Sequence, residues 1–233
     1  MASAPDIIDY LKTVDTPTLS NAVEMLQVRQ RNEGFAPCRI RCMFPELGPM
    51  VGYAVTAHVE SMSKGTVDPE MFFQLYEAVG EGRKPAVVVF QELGPHADYA
   101  MHCGETMATV FKRQGAVGLV SDCAVRDIPA VRALRFHFFA AGAVASHAYF
   151  RIIRIGIPIQ LEGMVVCPGD LLHGDENGLI TLPTTGLEKL PELVEAVRTR
   201  EREEMEFVRS PEFTLERLKA RYQSRQKSRS SEP

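Results

Sequence analysis

The chain has no apolar run of about 18 residues, the minimum for a membrane-crossing helix, so no membrane span is expected. Its first residues, MASAPDIIDYLKTVDTP, place Asp6 and Asp9 inside the first apolar stretch and carry no basic opening, so they do not read as a signal peptide. The five cysteines, Cys38, Cys42, Cys103, Cys123 and Cys167, are odd in number and scattered, which suits reduced thiols in a cytoplasm better than a disulfide framework. Cys38 and Cys42 look like half a zinc site, but no second Cys/His pair at ligand spacing completes it. The six histidines form no HxH or HExxH pattern, and there is no GxSxG elbow, P-loop or GxGxxG. With 26 basic and 30 acidic residues, a formal charge of −4 and no block of lysine and arginine in the predicted core, nucleic acid is not an expected partner.

What is present is enough apolar sequence, in 233 residues, for one full domain with terminal extensions. Residues 5–13 read as an amphipathic helix, and TLSNAVEMLQV as a second one capped by Thr16 or Thr18. MVGYAVTAHVE at 50–60 reads as a strand, and residues 69–80 as a helix stopping at Gly80. PAVVVFQEL at 85–93 is continuously apolar and β-branched, the mark of a strand covered on both faces. A helix from 104 to about 114 and a strand over 116–122 then complete a βαβ unit with parallel strands. Residues 127–134 read as a short helix, 136–146 as a strand, and 158–182 as two or three strands separated by the turns CPGD and GDENG. A long helix over 186–208 carries the stripe Leu187, Leu190, Val194 and Val197. A short helix follows to 222, and the polar tail 223–233 is too poor in apolar residues to fold.

Candidate chemistry gathers between Cys103 and Pro129. The first N–H groups of a helix have no intrahelical partner and sit at its positive end, so Gly104, Glu105, Thr106 and Met107 form a natural cradle for a carboxylate or phosphate. Arg126 and Asp127 follow a buried strand and so lie at its carboxyl end, where ligands of α/β sheets bind. Arginine supplies a planar fork for paired oxygens, and aspartate a hard oxygen for a magnesium-type ion. A second reading is equally open: Asp127 caps the helix IPAVRAL and Arg126 pairs with a surface acid. Asp122 either supports the site as an acid or simply closes the strand, and His96 and His102 are either a proton relay or satisfied surface histidines.

Three motifs in order, GETM at 104–107, SDCAVRD at 121–127 and PGDLLHGDENGLITLP at 168–183, resemble the RraA-like family. Gly104 and Arg126 stand 22 positions apart, similar to the family's spacing, and the resemblance runs over about residues 15–185. It implies an α/β fold of the swivelling β/β/α type over residues 1–185, with N-terminal helices included, a C-terminal helical extension over 186–222 and a disordered tail over 223–233. It also implies a homotrimer or homohexamer with sites near subunit interfaces. The implied activity is that of a class II pyruvate aldolase of the 4-hydroxy-4-methyl-2-oxoglutarate / 4-carboxy-4-hydroxy-2-oxoadipate type. In such an enzyme the backbone of Gly104–Met107 and the side chain of Arg126 would hold the pyruvyl part, and Asp127 would bind Mg²⁺ or Mn²⁺. Two positions depart from the family pattern: Asp122-Cys123 stands where Asp-Gly is common, and Asn21-Ala22 where Asp-Ala is common.

The expected reaction is therefore metal-dependent carbon–carbon cleavage of a 4-hydroxy-2-oxo acid to pyruvate and a second oxo acid, with oxaloacetate decarboxylation as a side activity. Arg126, Asp127 and Asp122 are the catalytic candidates, Asp122 as the group that orients a proton-accepting water. Two alternatives stay open: a non-catalytic regulator that binds another protein, as some family members do, and a related decarboxylase or dehydratase for another oxo or sugar acid.

Overall fold

The computed structural model describes residues 4–95 and 99–230. The chain opens with α1 (Ala4–Leu11), α2 (Thr16–Leu26), the short β1 (Arg41–Cys42) and β2 (Met50–Glu60). It continues through α3 (Pro69–Glu81), β3 (Ala86–Glu92), α4 (Glu105–Arg113), β4 (Ala116–Ser121), β5 (Ala124–Val125), α5 (Ile128–Ala133) and β6 (His137–Ala140). The later half holds β7 (Gly142–Ala143), β8 (Arg151–Ile155), β9 (Ile159–Leu161), β10 (Met164–Val166), β11 (Leu171–Asp175) and β12 (Gly178–Leu182). Helices α6 (Leu190–Arg209) and α7 (Leu215–Ser230) end it.

Eight strands form one mixed sheet in the order β1-β6-β4-β3-β2-β11-β12, with β8 also paired to β2. The expected βαβ unit is there: β2, β3, β4 and β6 run parallel, with Val88 beside Leu119 and Phe90 beside Ser121. At eleven residues β2 outruns its neighbours. It pairs with β3 along one edge and shares the other between β11, at Met50–Tyr53, and β8, at Ala57–Glu60.

Both faces of this sheet are covered, which explains why β3 shows no polar alternation. Val88 and Phe90 join Leu75 of α3, Phe111 of α4 and Val131 of α5 in one core. Val87 and Val89 face the other way, onto Leu161 and Met164 of the small β9–β10 ribbon. Ribbon, sheet and helices give the β/β/α layering. At the antiparallel end α1, α2 and α6 pack Leu11, Leu19 and Val194 over Val51, Leu171 and Ile180.

Several boundaries differ from those predicted. Asp15, not Thr16 or Thr18, caps α2, accepting the Thr18 N–H at 2.9 Å. Thr16 is diverted into the core, where its N–H meets Asp175 and its hydroxyl meets His173. Helix α3 continues past Gly80 to Glu81, closing with the Gly82 N–H on Ala78. The single strand expected over 136–146 is two, because the chain leaves β4 after Ala140 and β7 pairs with β5 instead. Residues 158–182 hold four strands, and β8 was not foreseen. Helix α7 runs to Ser230, through most of the segment expected to be an unfolded tail.

Candidate functional site

The two predicted motifs are brought together by a short zipper of backbone bonds. Residues 101–103 run parallel to 124–126: Met101 bridges Ala124, His102 N–H donates to Ala124 at 2.9 Å, and Arg126 N–H donates to Cys103 at 3.0 Å. This register sets Gly104, which opens α4, directly against Arg126 and Asp127. A Cβ at Gly104 would fall 2.4 Å from Asp127 Oδ2 and 3.1 Å from Arg126 Nε, so the close approach itself requires glycine.

Asp127 takes a left-handed conformation, φ 58° and ψ 37°, which costs a non-glycine residue on the order of 1–2 kcal/mol. It stands at the N-terminus of α5 but makes no side-chain cap there. Its Oδ2 instead crosses to α4 and accepts the Glu105 N–H at 3.0 Å. The capping alternative for Asp127 therefore fails. Of the predicted cradle, one N–H is already taken by this carboxylate, which leaves the first-turn groups of Thr106 and Met107 for an anion. Arg126 Nε lies 3.5 Å from Asp127 Oδ2, and Nη1 reaches the Ala145 carbonyl at 3.4 Å. Nε is buried and makes no hydrogen bond among the described residues. Both side chains remain about two-fifths exposed, open to a ligand.

Asp122 sits elsewhere. It is buried, and both carboxylate oxygens accept the backbone N–H of Glu92, at 2.9 and 3.2 Å. Burial, then the nearby Glu92 charge, pushes its carboxyl up to about 7. Among the described residues no hydrogen bond or ion pair joins its side chain to Arg126 or Asp127. It closes the end of β4 onto the end of β3.

Around Asp122 lies a network that sequence reasoning missed. The carboxyl ends of the adjacent parallel strands β2, β3 and β4 carry Glu60, Glu92 and Ser121-Asp122. Glu60 accepts the N–H groups of Met62 and Ser63 and pairs with Arg151. Glu92 Oε1 accepts those of Ser61 and Gly94 at 3.0 and 2.8 Å, and its Oε2 meets His102 Nε2 at 2.8 Å. The other ring nitrogen, Nδ1, lies 2.8 Å from Ser121 Oγ, which also accepts the Cys123 N–H at 2.9 Å. His102 is thus wholly buried, not a surface histidine, and burial holds it neutral. Burial works against ionised Glu92, but the donors His102, Gly94 and Ser61 outweigh it and keep it a carboxylate. The missed signal was Glu92 itself, an acid at the end of an otherwise apolar strand. His96 lies outside the described residues.

Asp127 offers a hard oxygen donor beside the Arg126 guanidinium, and its Oδ1 has no partner among the described residues. One or two carboxylates with retained waters are what Mg²⁺ usually takes from a protein, so the residues fit such an ion. No helix among the described residues is long and apolar enough to cross a membrane.

Comparison with known proteins places these features. A family model described as RraA-like, Aldolase/RraA, matches residues 8–181. A protein of Halalkalibacterium halodurans named "Putative 4-hydroxy-4-methyl-2-oxoglutarate aldolase" is 37% identical over 184 residues, covering 76% of this chain and 77% of its own. Among solved structures, an uncharacterized protein from Pseudomonas syringae pv. tomato superposes with a TM-score of 0.72 at 24% identity, covering 95% of this chain and 96% of its own. Streptomyces coelicolor RraAS2, described as an unusual member of the RNase ES inhibitor RraA protein family, gives 0.65 at 20% identity, covering 88% and 96%. At these identities the two structures speak for the fold alone.

Proposed function

The chain belongs to the RraA-like family, and from that premise we propose that it is a divalent-metal-dependent carbon–carbon lyase cleaving a 4-hydroxy-2-oxo acid to pyruvate and a second oxo acid. The observation that supports this most is the contact of Gly104 with Asp127 and Arg126, which brings a carboxylate, a guanidinium and a helix N-terminus together where both side chains are partly exposed.

In this reading Thr106 and Met107 N–H groups and the Arg126 fork bind the 2-oxo acid's carboxylate and orient its keto oxygen. Asp127 would hold Mg²⁺ or Mn²⁺, which when bound supplies a Lewis acid for the electron pair released on C–C cleavage. Arg126 adds a fixed positive charge beside the same oxygen, already in place before reaction. Glu105, the first residue of α4, gives its backbone N–H to Asp127 and leaves its exposed side chain to orient water. Asp122 acts by positioning: its bond to the Glu92 N–H fixes the strand ends that carry the site. Oxaloacetate would be decarboxylated by the same residues, since loss of CO₂ beta to a keto group follows the same electron path. The reading includes assembly as a homotrimer or homohexamer, in keeping with the exposed rings of Phe73, Tyr99 and Tyr149.

Pyruvate release from oxaloacetate and from 4-hydroxy-4-methyl-2-oxoglutarate, with Mg²⁺ or with EDTA, tests it. Release that needs the metal and falls at least about 100-fold in Asp127→Ala is expected, since the variant loses the metal-holding group. Absence of release from either compound with Mg²⁺ or Mn²⁺ would count against the lyase and favour the protein-binding regulator.

A further inference from the structure

Away from Asp127, one set of ligand-type side chains converges. Glu92, His102 and Cys123 are all buried, and a carboxylate oxygen, a ring nitrogen and Sγ lie within 4.8 Å of one another. They come from three segments: the end of β3, the stretch leading into Gly104, and the turn between β4 and β5. Nothing in the lyase reading uses them as ligands.

Two of the three already have the outer partners that metal ligands need. A ligating histidine normally offers its second ring nitrogen to a fixed polar group, and His102 Nδ1 has Ser121 Oγ at 2.8 Å. Ser121 Oγ is itself pinned by the Cys123 N–H. A ligating carboxylate normally has its other oxygen hydrogen-bonded, and Glu92 Oε1 takes two backbone N–H groups while Oε2 faces the histidine. A thiol, an imidazole and a carboxylate together suit a borderline ion such as Zn²⁺ better than Mg²⁺.

We propose that Glu92, His102 and Cys123 form a buried site for a Zn²⁺-type ion, separate from the Asp127 centre. A solvent oxygen would complete four-coordination. The ion would clamp the end of β3 and residues 101–103 to the β4–β5 turn and so hold Gly104 against Asp127. The chemistry balances simply. Burial raises the Cys123 thiol to about 12, so the free protein keeps its S–H, which donates to the Ala100 carbonyl. On binding, that proton leaves to solvent, and the ring N–H moves from Nε2, now bound to the ion, to Nδ1, where Ser121 Oγ accepts it. Glu92 enters as the carboxylate it already is. One proton is released per ion, which makes affinity rise with pH. The same side chains also satisfy one another without metal, and that hydrogen-bond network is the competing account.

Refolding the full chain with Co²⁺ in place of Zn²⁺ separates the two. A thiolate ligand gives Co²⁺ a sulfur-to-metal charge-transfer band in the near ultraviolet, which a carboxylate–imidazole site lacks. The expected result is about one ion per chain with that band, lost in Cys123→Ser and kept in Asp127→Ala and Cys103→Ser. A wild-type protein without the band overturns the proposal whatever the variants do. So does a band that survives Cys123→Ser and disappears in Cys38→Ser or Cys167→Ser. If Cys123→Ser fails to refold by circular dichroism, His102→Gln takes its place, with a shifted and weakened band expected and an unchanged one overturning the site. Lyase activity enters none of these readouts, so failure of the aldolase reading leaves the test intact.

Discussion

Two histidines with no exposed surface, His102 and His173, sit at opposite regions of one sheet. His102, beside the parallel strands, lies between a carboxylate and a serine hydroxyl. His173, on antiparallel β11, lies between the Leu11 carbonyl and the Thr16 hydroxyl. Burial drives both below the ordinary histidine range. By exposure and hydrogen-bond count they are equals. Their partners separate them: one ring is tied to a buried charge beside the candidate site, the other ties α1 and α2 to the sheet. Burial and satisfaction alone therefore do not mark function; the chemistry of the partner does.

The largest effect tests that distinction. His102→Ala leaves the buried Glu92 carboxylate without its side-chain donor, and a charged group left short of a buried partner costs more than the roughly 1–3 kcal/mol of a neutral one. His173→Ala leaves a carbonyl and a hydroxyl unmet, a neutral loss of about 1–3 kcal/mol. Urea unfolding of both variants in the presence of EDTA measures the pair without any bound ion. Equal costs would break the comparison, because the charge at Glu92 would then carry no weight.

Two glycines sharpen it further. Gly104 and Gly174 both lack room for a methyl group, but the obstacles differ. At Gly104 they are Asp127 Oδ2 and Arg126, and at Gly174 the Phe139 ring and Leu179 at 2.8 and 2.9 Å. Gly104→Ala must displace the carboxylate proposed to hold the metal, so the proposed lyase activity should drop about 100-fold, near 2.7 kcal/mol of barrier, with unfolding little changed. Gly174→Ala overpacks a core and should cost about 1–3 kcal/mol of stability while the folded protein keeps its activity. Activity and stability assays on both variants read the two losses, and a Gly104→Ala enzyme of full activity would remove the close approach from the mechanism.

The same contrast governs what the amino-acid sequence disclosed. Elements with a local signature were legible: β2 and β3 by their apolar runs, α3 by the proline at its first turn, and the βαβ unit by its order of strand, helix and strand. Gly104, Arg126 and Asp127, expected to share one site, do meet in the fold; their roles are those proposed above. What stayed hidden depends on distant partners. The cap of α2 moved to Asp15 because Thr16 is claimed by His173 and Asp175, some 160 residues away. Strand β8 exists because the far half of β2 has an open edge to fill. The Glu92–His102–Ser121 chain could not be read from any one segment, since it forms only when β3, β4 and the approach to Gly104 share one sheet end.

A third buried histidine gives the smallest effect and the finest test. His137, on β6, has a buried Nδ1 with no hydrogen-bond partner among the described residues, unlike His102 and His173. Burial, then the Arg135 charge, lowers its pKa to about 4. The unfolded chain takes up this proton near pH 6.5 but the folded protein does not, so the stability His137 contributes is present above about pH 6.5 and is lost as pH falls toward 4. His137→Leu removes both the orphan nitrogen and the titration. The variant should be at least as stable as wild type at pH 7, and its advantage should grow by about 1–2 kcal/mol on going to pH 5. His102 and His173 are present in both proteins, so their own acid sensitivity cancels in the difference. A constant difference across that range would mean His137 takes up its proton in the folded protein as readily as in the unfolded chain. It would then belong with groups that reach solvent, and the missing hydrogen bond, not the proton, would be all that sets it apart from the other two.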